Sequence, residues 1–354
     1  MWREVVVDIE SSSTLSKRKR ISIIILNYNG KRFLKKLFKT LAEQTYKNFE
    51  VIFVDNASTD HSVEVLKGLL NGELSKVVNT KIVLNRENLG YCKGNNSGLK
   101  HASGEYIVFL NNDTYLSPTW LETLVDAMDS HPCIGACQSR LISASDCGIQ
   151  CDGFFLDIYG WAQGMIIVGS KSDITNIPFY LCGASMILRR SALEKAGPFD
   201  PQLFSGDCDL CWRLRLYGYG LATALKSKCY HYVSMTRKTV VSSVEETLYR
   251  HREIVRVLLK NYSAKNIVIR LPRSIMLMFV EAMWLSLRYK TPLHLASFLK
   301  AMAWNLRILS DTLVVRSQVQ KNRKVSDREI EKRMPRYSVL LTRTWGVKIN
   351  ATKN

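Results

Sequence analysis

Between residues 21 and 130 the chain alternates short, almost unbroken apolar runs with stretches in which apolar residues recur every three or four positions. The runs at 21–29 (ISIIILNYN), 49–58 (FEVIFVDNAS), 81–90 (KIVLNRENLG) and 104–114 (GEYIVFLNNDT) read as four buried strands, each closing on polar residues. Between them, Phe33, Leu34, Leu37, Phe38 and Leu41 fall on one helical face. Residues 61–70 repeat that pattern behind Asp60, a candidate N-cap. Strands that alternate with helices predict an α/β domain with a mostly parallel central sheet flanked by helices.

The pattern then changes twice. Residues 140–190 read as shorter strands with turns at Gly148, Gly153, Gly160 and Gly164, a hairpin region beside the first sheet. From Ser242 the periodicity is helical. Ser242 and Glu245 have capping-box spacing, and Ile254, Val255, Leu258 and Leu259 share a face. A C-terminal helical extension is therefore expected, dividing the chain into an N-terminal extension (1–20), an α/β domain (21–240), a helical region (241–330) and a basic tail (331–354). Residues 275–287 (IMLMFVEAMWLSL) fall short of the ~20 residues that cross a bilayer, and they contain Glu281. Arg273 and Arg288 flank them, with Trp284 and Trp304 nearby, so residues 267–330 read as helices lying in a membrane interface. The other reading is a helical subdomain packed on the α/β domain.

Composition narrows the partners. The 354 residues carry 46% hydrophobic positions, enough for a sizeable core, and 50 Lys and Arg against 31 Asp and Glu give a net charge of +19. Such a charge attracts polyanions: nucleic acid, anionic lipid or phosphorylated substrates. The absence of aromatic and basic interleaving argues against nucleic acid. Nine cysteines scattered through apparent core strands suit a reducing compartment better than a disulfide framework. Cys133 with Cys137 and Cys147 with Cys151 could be imagined as a zinc site, but their flanks look like strands. No secretory signal is read in the first twenty residues, where Lys17–Arg20 form a basic run.

In open parallel sheets ligands gather outside the carboxyl ends of the strands, which would bring Asn27 to Asn29, Asp55, Arg86, Asn88 and Asn111 to Asp113 to one crevice. Asp113 offers one hard oxygen suited to Mg²⁺ or Mn²⁺ beside a diphosphate, although Asn-Asn-Asp-Thr is also turn chemistry. Asp55 can accept hydrogen bonds from a nucleobase or ribose. No Walker A or G-x-G-x-x-G sequence occurs, which counts against P-loop and dinucleotide-binding enzymes. Residues 204–215 (FSGDCDLCWRLR) place Asp207 and Asp209 at a helix start, as a cap or as a general base. His231 is a core histidine or a metal ligand with Asp113 as partner.

Eight motifs in order, SIIILNYNG (22–30), VDNASTDHS (54–62), NRENLGYCKGNNSGL (85–99), GEYIVFLNNDT (104–114), CGASMILRR (182–190), GPFDPQLF (197–204), DCDLCWRLRLYGY (207–219) and the His231 strand, resemble the family 2 glycosyltransferases, in particular the rhamnosyltransferase-like branch. The resemblance covers roughly residues 21–260. It implies a GT-A fold and inverting transfer of a sugar from a nucleotide-sugar donor to a hydroxyl of a glycan or lipid-linked acceptor, assisted by a divalent metal, Mg²⁺ or Mn²⁺. It implies Asp207 as general base and Asn27, Tyr28, Asn29, Asp55, Arg86, Asn88 and Asn112 around the donor nucleotide. Cys182, Gly183, Ala184, Asp209 and Trp212 would line the donor and acceptor pocket, and Asp113 and His231 would hold the metal. Cysteine usage together with the basic, amphipathic C-terminal region gives the expected location: cytoplasmic, peripheral on the inner face of the cell membrane. Two departures stand out: Gly206 occupies a place where relatives usually have Glu, and the metal motif has one carboxylate. They motivate an alternative, a catalytically weak nucleotide-sugar-binding or scaffold protein in a glycan assembly complex.

Overall fold

The computed structural model describes residues 20–72, 79–232 and 242–341, with the backbone of two short strands at 5–9 and 347–350. The N-terminal basic run, apart from Arg20, lies outside the described residues. The first half runs β1 (Val5–Ile9), β2 (Ile21–Asn27), α1 (Lys31–Ala42), β3 (Phe49–Asp55), α2 (Ser62–Asn71), β4 (Asn79–Leu84), α3 (Gly90–Leu99), β5 (Tyr106–Asn111), β6 (Thr114–Leu116) and α4 (Trp120–Ser130). The four expected strands are β2, β3, β4 and β5, and they pair in parallel in the order β4-β3-β2-β5. Helix α1 buries the five apolar residues of its predicted face. Burying each removes apolar surface from water at about 1.5–3 kcal/mol. Asp60 does not itself occupy the N-cap of α2. His61 stands there at φ +63°, while the Asp60 carboxylate accepts from the backbone N–H groups of Ser62 (3.0 Å) and Lys31 (2.8 Å).

Beyond β5 the sheet becomes mixed. The next elements are β7 (Ile134–Ser143), β8 (Ile149–Cys151), β9 (Phe154–Leu156), β10 (Ala162–Val168), β11 (Ile174–Thr175), β12 (Ser185–Arg189), α5 (Arg190–Ala196), α6 (Asp207–Leu216) and β13 (Gly220–His231). Strand β12 runs antiparallel between β5 and β7, and β13 lies parallel to β7 and antiparallel to β6. The unbroken parallel pattern thus holds for β4-β3-β2-β5 only, since β1 pairs antiparallel with β4 and β12 enters the sheet from the opposite end. This matters for the site: the β12 entry at 182–184 and the far end of β13 both reach the edge where β2, β3 and β5 finish.

The last elements are α7 (Ser243–Asn261), α8 (Ala264–Arg288), α9 (Leu293–Arg307), α10 (Leu309–Lys321), α11 (Asp327–Glu331) and β14 (Val347–Asn350). The reciprocal capping box of Ser242 and Glu245 opens α7 as its spacing predicts. Polar side chains tie these helices to the sheet domain. Arg256 bridges Asp200 and Asp311, both at 2.8 Å, and Ser274 Oγ donates to the Tyr159 carbonyl at 2.7 Å. Glu281 faces inward, bonded to Arg250 and to His251 Nε2, each at 2.9 Å. The tail folds back as well: Met334 and Val339 are buried, the Val339 N–H donates to Asp157, and β14 pairs in parallel with β10.

Candidate active site at the strand ends

Where β2, β3 and β5 finish, their polar residues form one network. Asn27 Nδ2 donates to Asp55 Oδ1 at 2.9 Å, and Asn27 Oδ1 accepts from Asn112 Nδ2 at 2.8 Å. Asp55 also receives the Ser58 N–H (2.8 Å) and hydroxyl (2.6 Å). A carboxylate has about four lone-pair sites, so these contacts leave it little spare capacity for a ligand. Gly30 permits the arrangement, since a Cβ there would stand 2.1 Å from Asn112 Nδ2 and 2.4 Å from Asn27 Oδ1. Asn29 sits at φ +52° and its Oδ1 accepts from Thr59 N–H, so the Tyr28–Asn29 turn is pinned to the loop after β3. Asn88 Oδ1 accepts from Gly90 N–H at the start of α3 and from Asn56 Nδ2, while Arg86 beside it is exposed.

Asp113 and His231 come together across the β6–β13 pair. Asp113 Oδ1 lies 3.2 Å from His231 Nε2, both side chains are largely buried, and Gln150 Nε2 lies 3.2 Å from His231 Nδ1. Gln150 Oε1 is buried without a hydrogen-bond partner. Turning the amide over would give that oxygen the Nδ1–H and free the Nε2 lone pair, and such an assignment is a choice of orientation alone. Neighbouring ligands on one ion with bonds of ~2.1 Å stand about 3 Å apart, so this oxygen and nitrogen fit a divalent metal of the Mn²⁺ or Mg²⁺ type. Among the described residues no group of three or more His, Cys, Asp and Glu side chains gathers as a metal cage. Diphosphate oxygens and water would have to complete the shell.

Asp207 opens α6. Gly206 precedes it at φ +70°, and a Cβ there would come within 2.6 Å of Cys92 Sγ and 3.0 Å of Phe199 Cδ1. The departure at 206 is therefore one the backbone demands. Asp207 Oδ2 accepts from the Gly183 N–H at 3.0 Å and Oδ1 from the Tyr91 hydroxyl at 3.3 Å. At Gly183 a Cβ would stand 1.9 Å from that hydroxyl. Burial pushes the Asp207 carboxyl up to about 7, against those two hydrogen bonds and with a further push from Glu253. A carboxyl poised there can accept a proton near neutral pH.

Three expected pocket residues lie elsewhere. Asp209 is fully buried, 2.9 Å from both Arg213 Nε and Lys260 Nζ; burial would raise its pKa, but Lys260 and Arg213 hold it well below the carboxylate range. At about 100° per residue Asp209 lies about 200° round the helix from Asp207, on the face that points inward. Trp212 is fully buried between Phe179 and Tyr262, and the Ala184 side chain belongs to the core, its carbonyl accepting from Asn111 N–H. Cys182 and Gly183 do reach the neighbourhood of Asp207. Sequence reasoning missed Ser58, Tyr91, Gln150 and Glu253. Ser58 and Tyr91 sit inside recognised motifs, whereas Gln150 and Glu253 carry no local signal and arrive only through tertiary packing.

Comparison with known proteins follows the same geometry. The family described as Glycosyl transferase family 2 matches residues 22–197. The "UDP-Glc:alpha-D-GlcNAc-diphosphoundecaprenol beta-1,3-glucosyltransferase WfaP" of Escherichia coli is 33% identical over 114 residues, 31% of this chain and 41% of its own length. Other curated relatives are matched over 14–54% of their lengths, so the chain spans at most about half of each. Among solved structures, GalNAc-T7 with UDP, GalNAc and Mn²⁺ superposes with a TM-score of 0.58 at 15% identity, covering 71% of this chain and 49% of that one. TarS 1-349 of S. aureus in complex with UDP-GlcNAc gives 0.55 at 18% identity, covering 88% and 90%.

Proposed function

The chain belongs to glycosyl transferase family 2 and has the GT-A fold, and from that premise we propose that it is an inverting transferase. It moves a sugar from a nucleoside diphosphate donor to a hydroxyl of a glycan or lipid-linked acceptor. The observation that carries this reading is Asp207, held by Tyr91 and Gly183 with its carboxyl raised to about 7. As the acceptor oxygen attacks the anomeric carbon, Asp207 takes the hydroxyl proton. The bond from that carbon to the donor phosphate breaks, and its electron pair leaves with the nucleoside diphosphate. Attack opposite the departing group inverts the anomeric centre.

Asp113 and His231 would hold the divalent metal, with Gln150 fixing the histidine tautomer. When bound, the ion supplies positive charge to the leaving diphosphate, a role worth several kcal/mol in such sites. Asn27, Asn112 and Asp55 shape the donor crevice; because Asp55 is already bonded to Ser58 and Asn27, it orders that loop as much as it touches the nucleotide. The motifs resemble the rhamnosyltransferase-like branch, so a nucleotide-linked rhamnose belongs in the donor panel. Nucleoside diphosphate release is measured for each donor with and without Mn²⁺, using polyprenyl diphosphate acceptors. Release that requires both donor and acceptor supports transfer. Donor binding without release, even with lipid acceptors, returns the scaffold reading.

The chain works, on this proposal, as a peripheral protein on the cytoplasmic face of the cell membrane. No helix among the described residues is long and apolar enough to cross one. Yet every large hydrophobic side chain exposed among the described residues lies in 268–341. On α8 the exposed positions from 276 to 287 are all apolar, Met276, Phe279, Val280, Met283, Trp284 and Leu287, while the buried face carries Leu277, Met278 and Ala282 together with Ser274 and Glu281. A solvent-facing stripe that is wholly apolar over about three turns suits an apolar environment, and exposed Arg273, Arg288 and Lys290 at the helix ends suit anionic head groups.

A further inference from the structure

Helix α7 follows the loop that leads into α6 along its whole length. Tyr249 stacks on Phe204 with ring centroids 4.6 Å apart. One turn later Glu253 accepts twice from Ser205, the backbone N–H at 2.6 Å on Oε1 and the hydroxyl at 3.0 Å on Oε2. Arg256 and Lys260 then grip Asp200 at 2.8 and 2.5 Å. Positions 249, 253, 256 and 260 form one helical stripe. The stripe meets the loop at residues 200–205, immediately before Gly206 and Asp207.

We propose that Glu253 is a positioning residue for sugar transfer: its carboxylate fixes the Ser205–Gly206 turn and so sets the place and the local field in which Asp207 meets the acceptor hydroxyl. This rests on Asp207 acting as the base. Gly206 has no room for a side chain of its own, so a carboxylate beside this turn has to come from another element, and α7 supplies it. The Tyr91 hydroxyl donates to Asp207, and Cys92, Tyr180, Cys182, Cys208 and Cys211 feel its charge; of these neighbours with Glu253 only Glu253 has a carboxyl. The Glu253 charge adds to burial in disfavouring the ionised form of Asp207. A carboxylate reaching the turn from α7 also makes the C-terminal helical region part of the catalytic apparatus.

Two substitutions in the full chain separate position from charge. Glu253→Gln keeps an oxygen for the Ser205 N–H and removes the charge, so the acid limb of kcat/KM should move to lower pH by roughly 0.5–1 unit. Glu253→Ala removes both, and kcat should fall about tenfold or more at pH 7 with donor KM within about twofold. If Glu253→Ala does not fold, as judged by its melting curve, Glu253→Gln alone decides. A wild-type acid limb in Glu253→Gln overturns the proposal. Asp207→Asn runs alongside: if it keeps turnover, the base assignment fails and takes this inference with it. If it loses turnover while the Glu253→Gln profile is unchanged, only the role of Glu253 is lost.

Discussion

If Asp207 is the base proposed above, its reactivity comes with a cost in stability. Its folded-state pKa of about 7 lies above the ~3.9 of an unfolded aspartate, so the folded chain binds more protons between those values and loses stability as pH rises through that window. The penalty is absent below about pH 4 and complete above about pH 7. Asp207→Asn should therefore melt about 2–4 °C above wild type at pH 8, and the gap should close towards pH 4. The same variant should lose transfer by about 10²–10⁴-fold while donor affinity, measured by calorimetry, stays within about twofold. A variant that melts at the wild-type temperature at both pH values would remove the argument from burial. Asp113→Ala tests the other end of the site: Mn²⁺-dependent donor binding should weaken by about 10–100-fold, and donor binding in chelator should not change. Asp207 and Asp113 are singled out in the sequence by motif register, and the structure brings Asp207 beside Gly183 and Asp113 beside His231. Asp209 was misplaced because residues two apart on a helix cannot both face one crevice, and its partners Lys260 and Asn261 lie some fifty residues away.

At the scale of elements, periodicity located β2 to β5, α1 and the capped start of α7, since each depends on neighbours within a few residues. It overstated the parallel sheet, because β12 is inserted between β5 and β7 by long-range pairing that no local pattern encodes. For α8, hydrophobicity alone left a core helix and an interfacial helix both open. The structure shows a helix packed through Leu277, Met278 and Ala282 whose Glu281 points at Arg250 and His251, and which leaves Met276, Trp284 and Leu287 outside, the last 72% exposed. Replacing those three with serine should reduce binding to vesicles containing anionic phospholipid by about tenfold or more, the loss of three interfacial anchors. Melting temperature should hold, since no core contact is removed. Binding should also weaken as salt rises in wild type, because Arg273, Arg288 and Lys290 meet head groups across a screening length of about 8–10 Å. Unchanged vesicle binding by the triple variant would take the membrane away from this face of α8.

Across the whole molecule, the two halves share one interior, and this decides what a truncation can mean. If the helices after residue 266 were an appended anchor, deleting them would release an active soluble enzyme. The packing argues otherwise. Residues 267–354 contribute the buried side chains of Met278, Ala282, Phe298, Ala301, Val319, Ile330 and Met334, and Glu281 is the partner of Arg250 and His251. Arg316 donates to the carbonyls of Leu259 and Tyr262 at the end of α7, and Thr312 and Asp311 complete the shell of Arg256. Without them α7 would present an apolar face to water and leave the buried Arg256 without Asp311 and Thr312. Removing a partner from a buried charge typically costs about 3–5 kcal/mol, a large share of the ~5–15 kcal/mol that holds a domain folded. A chain ending at residue 266 should thus be insoluble, or lose its cooperative melting transition, and transfer no sugar to a water-soluble acceptor analogue. The serine triple variant of α8 should transfer to that analogue at the wild-type rate and fail only with acceptors held in vesicles. A truncated chain that melts cooperatively and transfers normally would show that α7 needs no cover, and the helical region would then be an anchor after all.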